Sequence, residues 1–426
     1  MNPLMKILYV SQYFPPEMGA PAARVDELSR HWASAGHEVT VLTGFPNHPT
    51  GVIPAEYRGK FRRLVVREQA NGVEVVRTWL LPFPNRKAHE RMLNYGSFSA
   101  SAASTGLFLS RPDVVIASSP QLLVGLSGWW LSGWKRVPFV FEVRDLWPES
   151  LAAVGMDTSN SMLHRGLTKI SGLLYRHADR VVVVTPASAD YLAEHRQVPR
   201  EKLSVIENGV ETELFAPYAA TDLRRELGAE GKFVVSYIGT IGMAHGLETI
   251  VAAAAQLQDS NPRVLFLIVG EGAEKENIMA LAKARRLRNL QFIPQQPRAR
   301  IPDYICASDA CMVLLKKAEL FKTVIPTKML EFMSCARPVI LGVDGHARRT
   351  LEEAKGGVAI EPGNCAALMD AICRLASNRE EGGKLGRNGR EYIIRKLSRR
   401  HKAEKYVLML EELLKLPHPV DSQVAA

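Results

Sequence analysis

Residues 322–340 read KTVIPTKMLEFMSCARPVI, a pattern that predicts a helix followed directly by a strand. Pro326 suits the first position of a helix, where its missing N–H group costs no hydrogen bond. Apolar residues then recur at helical spacing, and the helix should end at Arg337, because the residue before a proline avoids the helical conformation. The apolar residues 339–341 indicate a buried strand. The same alternation of helix and strand recurs along the chain.

Lys328 is the unusual residue of this segment, because a cation in the first turn of a helix opposes the helix dipole. An anion bound at the start of the helix would explain it. An ion pair with Glu331, one turn further along the same face, would explain it as well. The segment alone leaves both interpretations open.

Composition and charge limit the class of protein to which this chain can belong and the partners that it can have. A chain of 426 residues is long enough for two domains, and 46% hydrophobic with 23% charged residues is typical of a folded globular protein. The net charge of +10 favours anionic partners, such as a phosphorylated substrate or an anionic membrane surface. Nucleic acid is not expected as a partner, because neither a helix-turn-helix pattern nor interleaved aromatic and basic residues occur.

The cysteines and the N-terminus predict a cytoplasmic location. The five cysteines are odd in number and form no CxxC pair, so neither a disulfide framework nor a zinc site is expected. The first apolar run is too short for a signal peptide and is interrupted by Pro15 and Pro16. No apolar run reaches the ~20 residues that a spanning helix needs. Any membrane contact would therefore be peripheral, at the inner face of the cytoplasmic membrane.

Thirteen short apolar runs alternate with helical patterns and predict an α/β fold. Most of these runs are continuously apolar, as expected for parallel strands covered on both faces. Thirteen strands are too many for one such sheet, so we expect two Rossmann-like, doubly wound domains. The Asn-Gly pair in Glu207-Asn208-Gly209 indicates a turn at the end of a strand, and we therefore predict domains at 1–207 and 208–399. A last helix at about 400–416 would complete the first domain, and 417–426 would be a disordered tail.

Loops at the carboxyl ends of parallel strands are where such sheets bind ligands. The loop after the first predicted strand contains Gly19 and leads into a helix with Arg24. A later loop contains Gly239 and Gly242, where the backbone could approach a phosphate closely. A third contains Gly270. These loops match neither the dinucleotide fingerprint nor the GxxxxGK[ST] phosphate loop, so an ordinary structural turn is the alternative.

Two stretches suggest a surface for lipid. Residues 122–134 contain three tryptophans and are followed by Lys135 and Arg136, a combination that suits a membrane interface. A packed core helix is the alternative. Five basic residues between Arg58 and Arg67 would suit anionic lipid or, alternatively, a solvated surface.

The order of these segments resembles that of the family 4 glycosyltransferases. These are retaining enzymes with the GT-B fold, in which two Rossmann-like domains face each other across a cleft. The resemblance covers nearly the whole chain and rests on 5–10 (MKILYV), 205–210 (VIENGV), 239–246, 269–272 (VGEG), 328–340 and 361–364 (EPGN). A closer similarity, to the N-acetyl-L-fucosamine transferases of bacterial surface polysaccharide synthesis, rests on 142–149 (EVRDLWPE) and 326–328 (PTK).

The resemblance implies that the second domain binds a nucleotide sugar and the first binds the acceptor. Glu331 matches the last residue of the family's E-x7-E motif and would accept hydrogen bonds from the ribose hydroxyls. Thr323 replaces the first glutamate of that motif. Thr327, Gly239 and Gly270 belong to the same implied donor site.

Two further pairs of residues are assigned to the donor by the resemblance. Ile293 and Pro294 match the segment that contacts the base. Gly242 and Met243, at a predicted helix start, would face the diphosphate.

The sequence also departs from the family pattern. The arginine and lysine that usually neutralise the leaving diphosphate align with Thr240 and His245. Another cation must offset that charge, with Lys328 as the first candidate and Arg24 as the second. This departure favours an anion near Lys328 over a simple ion pair.

Arg144 and Asp145 follow the fifth predicted strand of the first domain and are candidate catalytic residues. Asp145 would accept the proton of the acceptor hydroxyl or bind the donor sugar, and Arg144 would stabilise developing charge. A structural Arg–Asp pair is the alternative.

The predicted enzyme is a retaining hexosyltransferase that uses no metal and no cofactor, since no D-x-D motif is present. It would move a sugar, favoured as an N-acetylated amino sugar, from a UDP-sugar to a glycan or polyprenyl-diphosphate-linked acceptor in O-antigen or capsule synthesis. A UDP-sugar 2-epimerase of the same fold and a non-catalytic two-lobed sugar-binding protein are the alternatives. A dehydrogenase is disfavoured, because GxGxxG is lacking.

Overall fold

The computed structural model describes residues 4–17, 19–48, 50–84, 88–148 and 162–415. The chain divides into two compact units, one made of 1–207 with 400–426 and the other of 208–399. The predicted disordered tail at 417–426 lies outside the described residues.

The described part of the first unit contains an eight-stranded sheet in the order β3-β4-β2-β1-β5-β6-β7-β8. Its strands are β1 Lys6–Val10, β2 Glu38–Gly44, β3 Val65–Ala70, β4 Val73–Thr78, β5 Val114–Ser118, β6 Phe139–Val143, β7 Arg180–Val183 and β8 Leu203–Val205. Its helices are α1 Ala20–Ser34, α2 Ala55–Phe61, α3 Ala88–Leu107, α4 Val124–Lys135, α5 Met162–His177, α6 Pro186–Arg196 and, at the end of the chain, α15 Arg399–Lys415.

The central strands of this sheet are buried on both faces. In β1, Leu8 and Val10 belong to one apolar cluster, whereas Ile7 and Tyr9 belong to a second one on the opposite face. Strands that alternate their side chains between two apolar cores must be apolar at every position, which is the pattern seen in the sequence. All strands of this sheet pair in parallel except β3.

The edge strand β3 was not predicted. It pairs antiparallel with β4 through a tight turn at Asn71 and Gly72, which both have positive φ, at 53° and 80°. The basic run extends from α2 into β3, and two of its residues form exposed ion pairs: Lys60 contacts Glu68 at 2.7 Å, and Arg67 contacts Glu74 at 2.9 Å. These contacts favour the solvated-surface interpretation of the run.

The second unit contains a parallel sheet in the order β11-β10-β9-β12-β13-β14. The strands are β9 Phe233–Ile238, β10 Val264–Val269, β11 Leu290–Ile293, β12 Ala310–Leu314, β13 Val339–Gly342 and β14 Gly357–Ala359. The helices are α7 Thr221–Glu226, α8 Glu248–Ser260, α9 Lys275–Ala284, α10 Ile301–Ala307, α11 Thr327–Ser334, α12 His346–Ala354, α13 Cys365–Ser377 and α14 Arg379–Tyr392.

The strand order of the second sheet reverses between β9 and β12. Numbered within the unit, the order reads 3-2-1-4-5-6, which is that of a doubly wound dinucleotide-binding fold. Ligands bind such sheets at the reversal, beyond the carboxyl ends of the strands. The loop after β9 and the start of α11 are therefore the places to look for a site.

Residues 322–340 contain α11 and the start of β13. Pro326 directly precedes the helix, and no side chain caps its first turn. The prediction that the helix continues to Arg337 is wrong by about one turn: α11 ends at Ser334, and Ala336 adopts a left-handed conformation with φ 52°. Ala336 follows the last capping residue, Cys335, so its left-handed conformation ends the helix, and Pro338 directly precedes β13.

No helix in the described part of the chain is long and apolar enough to cross a membrane.

Candidate active site

Three loops of the second unit are held side by side by backbone hydrogen bonds. The amide of Gly239 donates to the carbonyl of Val269 at 2.9 Å, and the amide of Gly270 donates to the carbonyl of Ile293 at 3.0 Å. The loops that follow β9, β10 and β11 therefore form one continuous surface at the carboxyl edge of the sheet. This surface brings together three predicted site residues, Gly239, Gly270 and Ile293.

Glycine is required at two of these positions. Gly239 and Gly270 have φ of 142° and 150°, a conformation that other residues rarely adopt. A Cβ on Gly270 would lie 2.0 Å from the carbonyl oxygen of Gly239, and a Cβ on Gly239 would lie 2.8 Å from Nζ of Lys328. The glycines therefore permit both the close packing of two loops and the approach of the lysine.

Lys328 extends from the first turn of α11 over the end of β9. Its Nζ donates to the hydroxyl of Tyr237 at 2.9 Å and lies 4.1 Å from the centre of that ring. The Tyr237 hydroxyl in turn donates to the carbonyl of Thr240 at 2.6 Å. The ring fixes the ammonium beside the glycine loop through a hydrogen bond and a cation–π contact.

The alternative in which Lys328 pairs with Glu331 is wrong. Among the described residues, no carboxylate lies within salt-bridge distance of the Lys328 ammonium, and Glu331 is bound instead by another side chain. Burial lowers the pKa of Lys328 to about 7, and the more distant charge of Glu331 only partly opposes this effect. An anionic ligand in this position would raise that pKa and hold the lysine charged.

His245 lies at the end of the same loop, at the position where the family usually has a lysine. Burial and the charge of Lys328 lower its pKa to about 4, so the ring is neutral at physiological pH. Its Nδ1 lies 3.3 Å from the carbonyl of Gly242. His245 therefore supplies no charge, whereas Lys328 places its ammonium beside Gly239 of the same loop.

Glu331 is almost fully buried, one turn after Lys328 on α11. Its Oε1 accepts a hydrogen bond from Nη1 of Arg298 at 3.0 Å. The Arg298 guanidinium also lies 5.1 Å from the centre of the Phe215 ring. Neither Arg298 nor Tyr237 was identified from the sequence. Arg298 is 33 residues from Glu331 and Tyr237 is 91 residues from Lys328, and no sequence motif connects either pair.

The other predicted donor residues are placed as follows. Thr327 begins α11, whose first turn contains no acidic residue. Thr323 ends the short helical turn before it. Pro294 directly follows β11. Met243 is 59% exposed and, with Gly242, lines a cavity of about 260 Å³ whose lining includes neither Lys328 nor Glu331.

The first unit has a buried polar network at the carboxyl ends of β1, β5 and β6. Glu142 accepts hydrogen bonds from the Tyr9 hydroxyl at 2.7 Å, the Ser118 hydroxyl at 2.5 Å, and Nη2 of Arg24 at 2.8 Å. Burial raises the pKa of Glu142, but the charges of Arg24 and Arg144 and these hydrogen bonds outweigh it and lower the pKa to about 2. Glu142 is therefore ionised in the folded protein.

Arg24 does not belong to a phosphate-binding loop, contrary to the prediction. The side chains of Arg24 and Glu142 are both 0% exposed. The guanidinium also donates from Nε to Glu142 at 3.0 Å and to the carbonyls of Ile206 and Glu207, at 3.0 and 3.1 Å. Because its donors are used inside the unit, Arg24 stabilises the fold and cannot reach a ligand in this arrangement.

Arg144 and Gly19 are brought together. Arg144 donates from Nη2 and Nη1 to the carbonyls of Ala20 and Pro21, at 3.0 and 3.2 Å, and so contacts the first turn of α1 that Gly19 precedes. Asp145 makes no hydrogen bond or ion pair among the described residues, and its side chain is exposed. Arg144 and Asp145 therefore do not form the structural ion pair that was the alternative. Desolvation by the surrounding protein raises the pKa of Asp145 above its ordinary value, and the charge of Arg144 partly opposes this effect.

Comparison with known families identifies both units. A model described as "Glycosyl transferase 4-like domain" matches residues 19–209, and one described as "Glycosyl transferases group 1" matches residues 220–392. The fold and these matches define the class: the chain is a glycosyltransferase of the GT-B type. Within that class it belongs to the family 4 glycosyltransferases.

Individual relatives are distant but extend over most of the chain. The putative colanic acid biosynthesis glycosyl transferase WcaI of Escherichia coli is 27% identical over 386 residues, which are 86% of this chain and 91% of the relative. Sucrose-phosphate synthase from Thermosynechococcus elongatus has a TM-score of 0.76 at 22% identity, covering 96% and 98% of the two chains. Anabaena HepE, solved in complex with UDP and glucose, has a TM-score of 0.71 at 17% identity, covering 95% and 99%.

Proposed function

We propose that this glycosyltransferase moves a sugar from a UDP-sugar to a glycan or polyprenyl-diphosphate-linked acceptor in bacterial surface polysaccharide synthesis, with retention at the anomeric carbon. The donor sugar we favour is an N-acetylated amino sugar, on the similarity of residues 142–149 and 326–328 to the N-acetyl-L-fucosamine transferases. The name of the E. coli relative supports the polysaccharide assignment, and the UDP complex of HepE supports the nucleotide.

The observation that carries the proposal is the position of Lys328. It lies in the first turn of a helix without an acidic residue there, beside two glycine loops, and with no ion-pair partner among the described residues. Helix N-termini and exposed loop amides bind phosphate, and a lysine at that place adds a full charge. A diphosphate bound there would receive hydrogen bonds from the loop and compensation from Lys328.

The same helix supports the binding of the rest of the nucleotide. Glu331 presents an ionisable carboxylate one turn from Lys328, suited to the two neighbouring hydroxyls of a ribose. Residues 293 and 294 border the loop surface at the end of β11, where the base would lie. This ordering of base, ribose and diphosphate follows the carboxyl edge of the sheet.

In the reaction, the bond between the anomeric carbon and the diphosphate oxygen breaks, and a bond to the acceptor oxygen forms. Lys328 and the start of α11 would stabilise the charge that develops on the leaving diphosphate. The acceptor hydroxyl loses a proton, and Asp145 is the candidate to accept it, with Arg144 stabilising nearby charge. Metal independence remains a prediction, which activity in excess EDTA would test.

The experiment is a UDP-release assay with a panel of UDP-sugars and acceptors, with the product configuration read by NMR. The proposal expects UDP release only with acceptor present, and a loss of about 100-fold or more in K328M. Lys322→Met is the matched control, because Lys322 is an exposed lysine of the preceding turn that pairs with Glu319. Sugar conversion without acceptor would instead identify an epimerase, and unchanged activity in K328M would refute the role of Lys328.

A further inference from the structure

We propose that Phe108, Trp130 and Trp134 form a docking surface for an anionic lipid bilayer. We call these three side chains the aromatic surface. They are 86%, 52% and 64% exposed. Large aromatic side chains are seldom left so exposed on a soluble protein unless they contact a partner. The inference does not depend on the donor sugar or on the reaction.

Local packing holds the aromatic surface together. Phe108 directly follows α3, and Lys135 of α4 donates from Nζ to the carbonyl of Leu109 at 2.7 Å, so that the ends of the two helices are tied. Trp130 and Trp134 are one turn apart on α4 and stack with their ring centres 6.4 Å apart. Phe108 therefore lies beside the tied ends of the two helices, and the two stacked tryptophans lie in the last two turns of α4.

The third tryptophan of the cluster behaves differently. Trp129 is partly buried, packs against the core of the first unit and lies 5.1 Å from the His177 ring. The packed-helix interpretation of the tryptophan cluster therefore holds for Trp129 but not for Trp130 and Trp134. Lys135 is also internal, since its ammonium binds backbone carbonyls.

The charge beside the aromatic surface is suited to anionic lipid. Arg111 and Arg136 are exposed, and Arg111 donates to the backbone carbonyl of Arg136 at 3.0 Å, which holds the two cations close to the end of α4. The nearby Asp113 is exposed, but it accepts a hydrogen bond from the amide of Lys6 at 2.7 Å. Aromatic rings flanked by arginines match a headgroup region, where indoles insert and cations meet phosphates.

A bilayer fits this surface better than a second protein chain. A covered aromatic side chain buries about 150–250 Å², so the exposed parts of these three amount to about 400 Å². A stable protein interface needs about 800 Å² per partner. A bilayer has no such minimum, because insertion of a few aromatic side chains combines with the attraction of the surrounding charge.

A bilayer bound to the aromatic surface would leave the candidate site of this unit uncovered. The aromatic surface lies where α3 and α4 end, before β5 and β6 begin, and therefore towards the amino edge of the sheet. Arg144 and the start of α1 lie at the opposite, carboxyl edge. A bilayer in contact with one edge would not cover the loops of the other.

The test is co-sedimentation of the full chain with vesicles of phosphatidylcholine alone or of phosphatidylcholine mixed equally with phosphatidylglycerol. Wild-type protein should bind the anionic vesicles at low salt, and F108A/W130A/W134A should bind at least about tenfold more weakly. R111A/R136A should bind less at low salt, with a smaller difference at about 0.5 M salt. Leu408→Ala is the control, since Leu408 is an apolar residue of the same unit that is 61% exposed.

Equal sedimentation of wild-type and triple variant would overturn the proposal. So would a lipid-free dimer, in sedimentation velocity, that the triple variant abolishes, because the surface would then bind a second copy. Circular dichroism should show equal melting of all variants, since the substituted side chains are exposed.

Discussion

Arg298 donates to Glu331 at 3.0 Å and thereby joins the turn after β11 to the buried helix α11. The arginine side chain is 36% exposed, whereas that of Glu331 is 11% exposed. The contact fixes one oxygen of the carboxylate in place. In the proposed enzyme this orients the group that binds the ribose, so Arg298 is a positioning residue.

Arg298→Met should weaken donor binding more than it slows turnover. Without its partner the Glu331 carboxylate loses a charge-assisted hydrogen bond and its fixed orientation, and we expect the donor KM to rise about tenfold with a smaller change in kcat. R298K should restore part of the affinity. Initial rates over a range of UDP-sugar concentrations measure this.

The matched control for Arg298 is Arg300→Met, which removes an arginine two residues away that pairs with Asp303. That variant should keep the wild-type KM. Equal KM values for R298M and R300M would exclude the positioning role.

Lys328→Met should stabilise the unliganded protein at neutral pH. The pKa of Lys328 is lowered from 10.5 to about 7, so unfolding takes up a proton between these values, and this contribution to stability rises with pH across that window. Methionine removes the cost of burying a charge, so we expect the free energy of unfolding to rise by on the order of 1 kcal/mol. A change of that size corresponds to about 2–4 °C in melting temperature. Calorimetry of K328M and K322M measures it, and a melting temperature for K328M below that of K322M would contradict the expectation.

Donor affinity should fall as pH rises through the pKa of Lys328. The protonated lysine binds the diphosphate and the neutral one does not, so the Kd should increase about tenfold between about pH 6 and about pH 8. A UDP-sugar is the right ligand, because its diphosphate stays fully ionised in this range. Titration calorimetry should also detect proton uptake on binding near pH 7. In K328M both the pH dependence and the uptake should vanish, and a retained pH dependence would assign it to another group.

The sequence predicts the strands well and the site only in part. The thirteen predicted strands are present, and many of them read directly from the residues as apolar runs; β1 and β10, for example, alternate their side chains between two apolar cores. The missed strand β3 reads VVREQA and has only partly buried or exposed residues, so it lacks that pattern. Its pairing depends on the turn at residues 71 and 72 and on the neighbouring strand.

Site residues are predictable where a local rule applies. Lys328 conflicts with the helix dipole, and this conflict alone singles it out. Its partner Tyr237 lies in strand β9, 91 residues away, and no local pattern connects the two. Arg24 shows the converse error: its place after a glycine loop suggests a phosphate ligand, but the buried Glu142 that binds it is 118 residues away.

Gly270→Ala should damage the loop surface. The new Cβ would lie 2.0 Å from the Gly239 carbonyl, in a conformation with φ 150° that alanine rarely adopts, so we expect about 2 kcal/mol or more of destabilisation and loss of donor binding. Gly228→Ala is the control for strain alone, because its φ is 58° and its Cβ would meet no atom within 4 Å. Calorimetric melting of both variants compares them. Equal melting temperatures would show that the loops can move apart without cost.

The buried pair of Arg24 and Glu142 allows a test of the first unit by itself. All six tryptophans lie before residue 150, so tryptophan fluorescence reports the unfolding of this unit alone. Arg24→Met leaves the Glu142 carboxylate buried without its main counter-charge, which typically costs about 3–5 kcal/mol. Arg30→Met, on the same helix, removes only a partly exposed pair with Asp26 and should cost less than about 1 kcal/mol.

The pH dependence of stability distinguishes an unpaired buried charge in R24M from a simple packing defect, because only the charge would reverse the direction of that dependence. In the wild type the Glu142 pKa of about 2 lies below the ordinary 4.5, so its ionisation contributes stability above pH 4.5 that is lost as pH falls towards 2. In R24M burial prevails and raises the pKa, so stability should instead fall as pH rises above about 5. R24M/E142Q should regain stability at pH 8 and lose this dependence, because glutamine needs no counter-charge. Urea unfolding followed by fluorescence at two pH values measures both effects, and a destabilisation of R24M that E142Q leaves unchanged would assign the loss to the carbonyl contacts of Arg24.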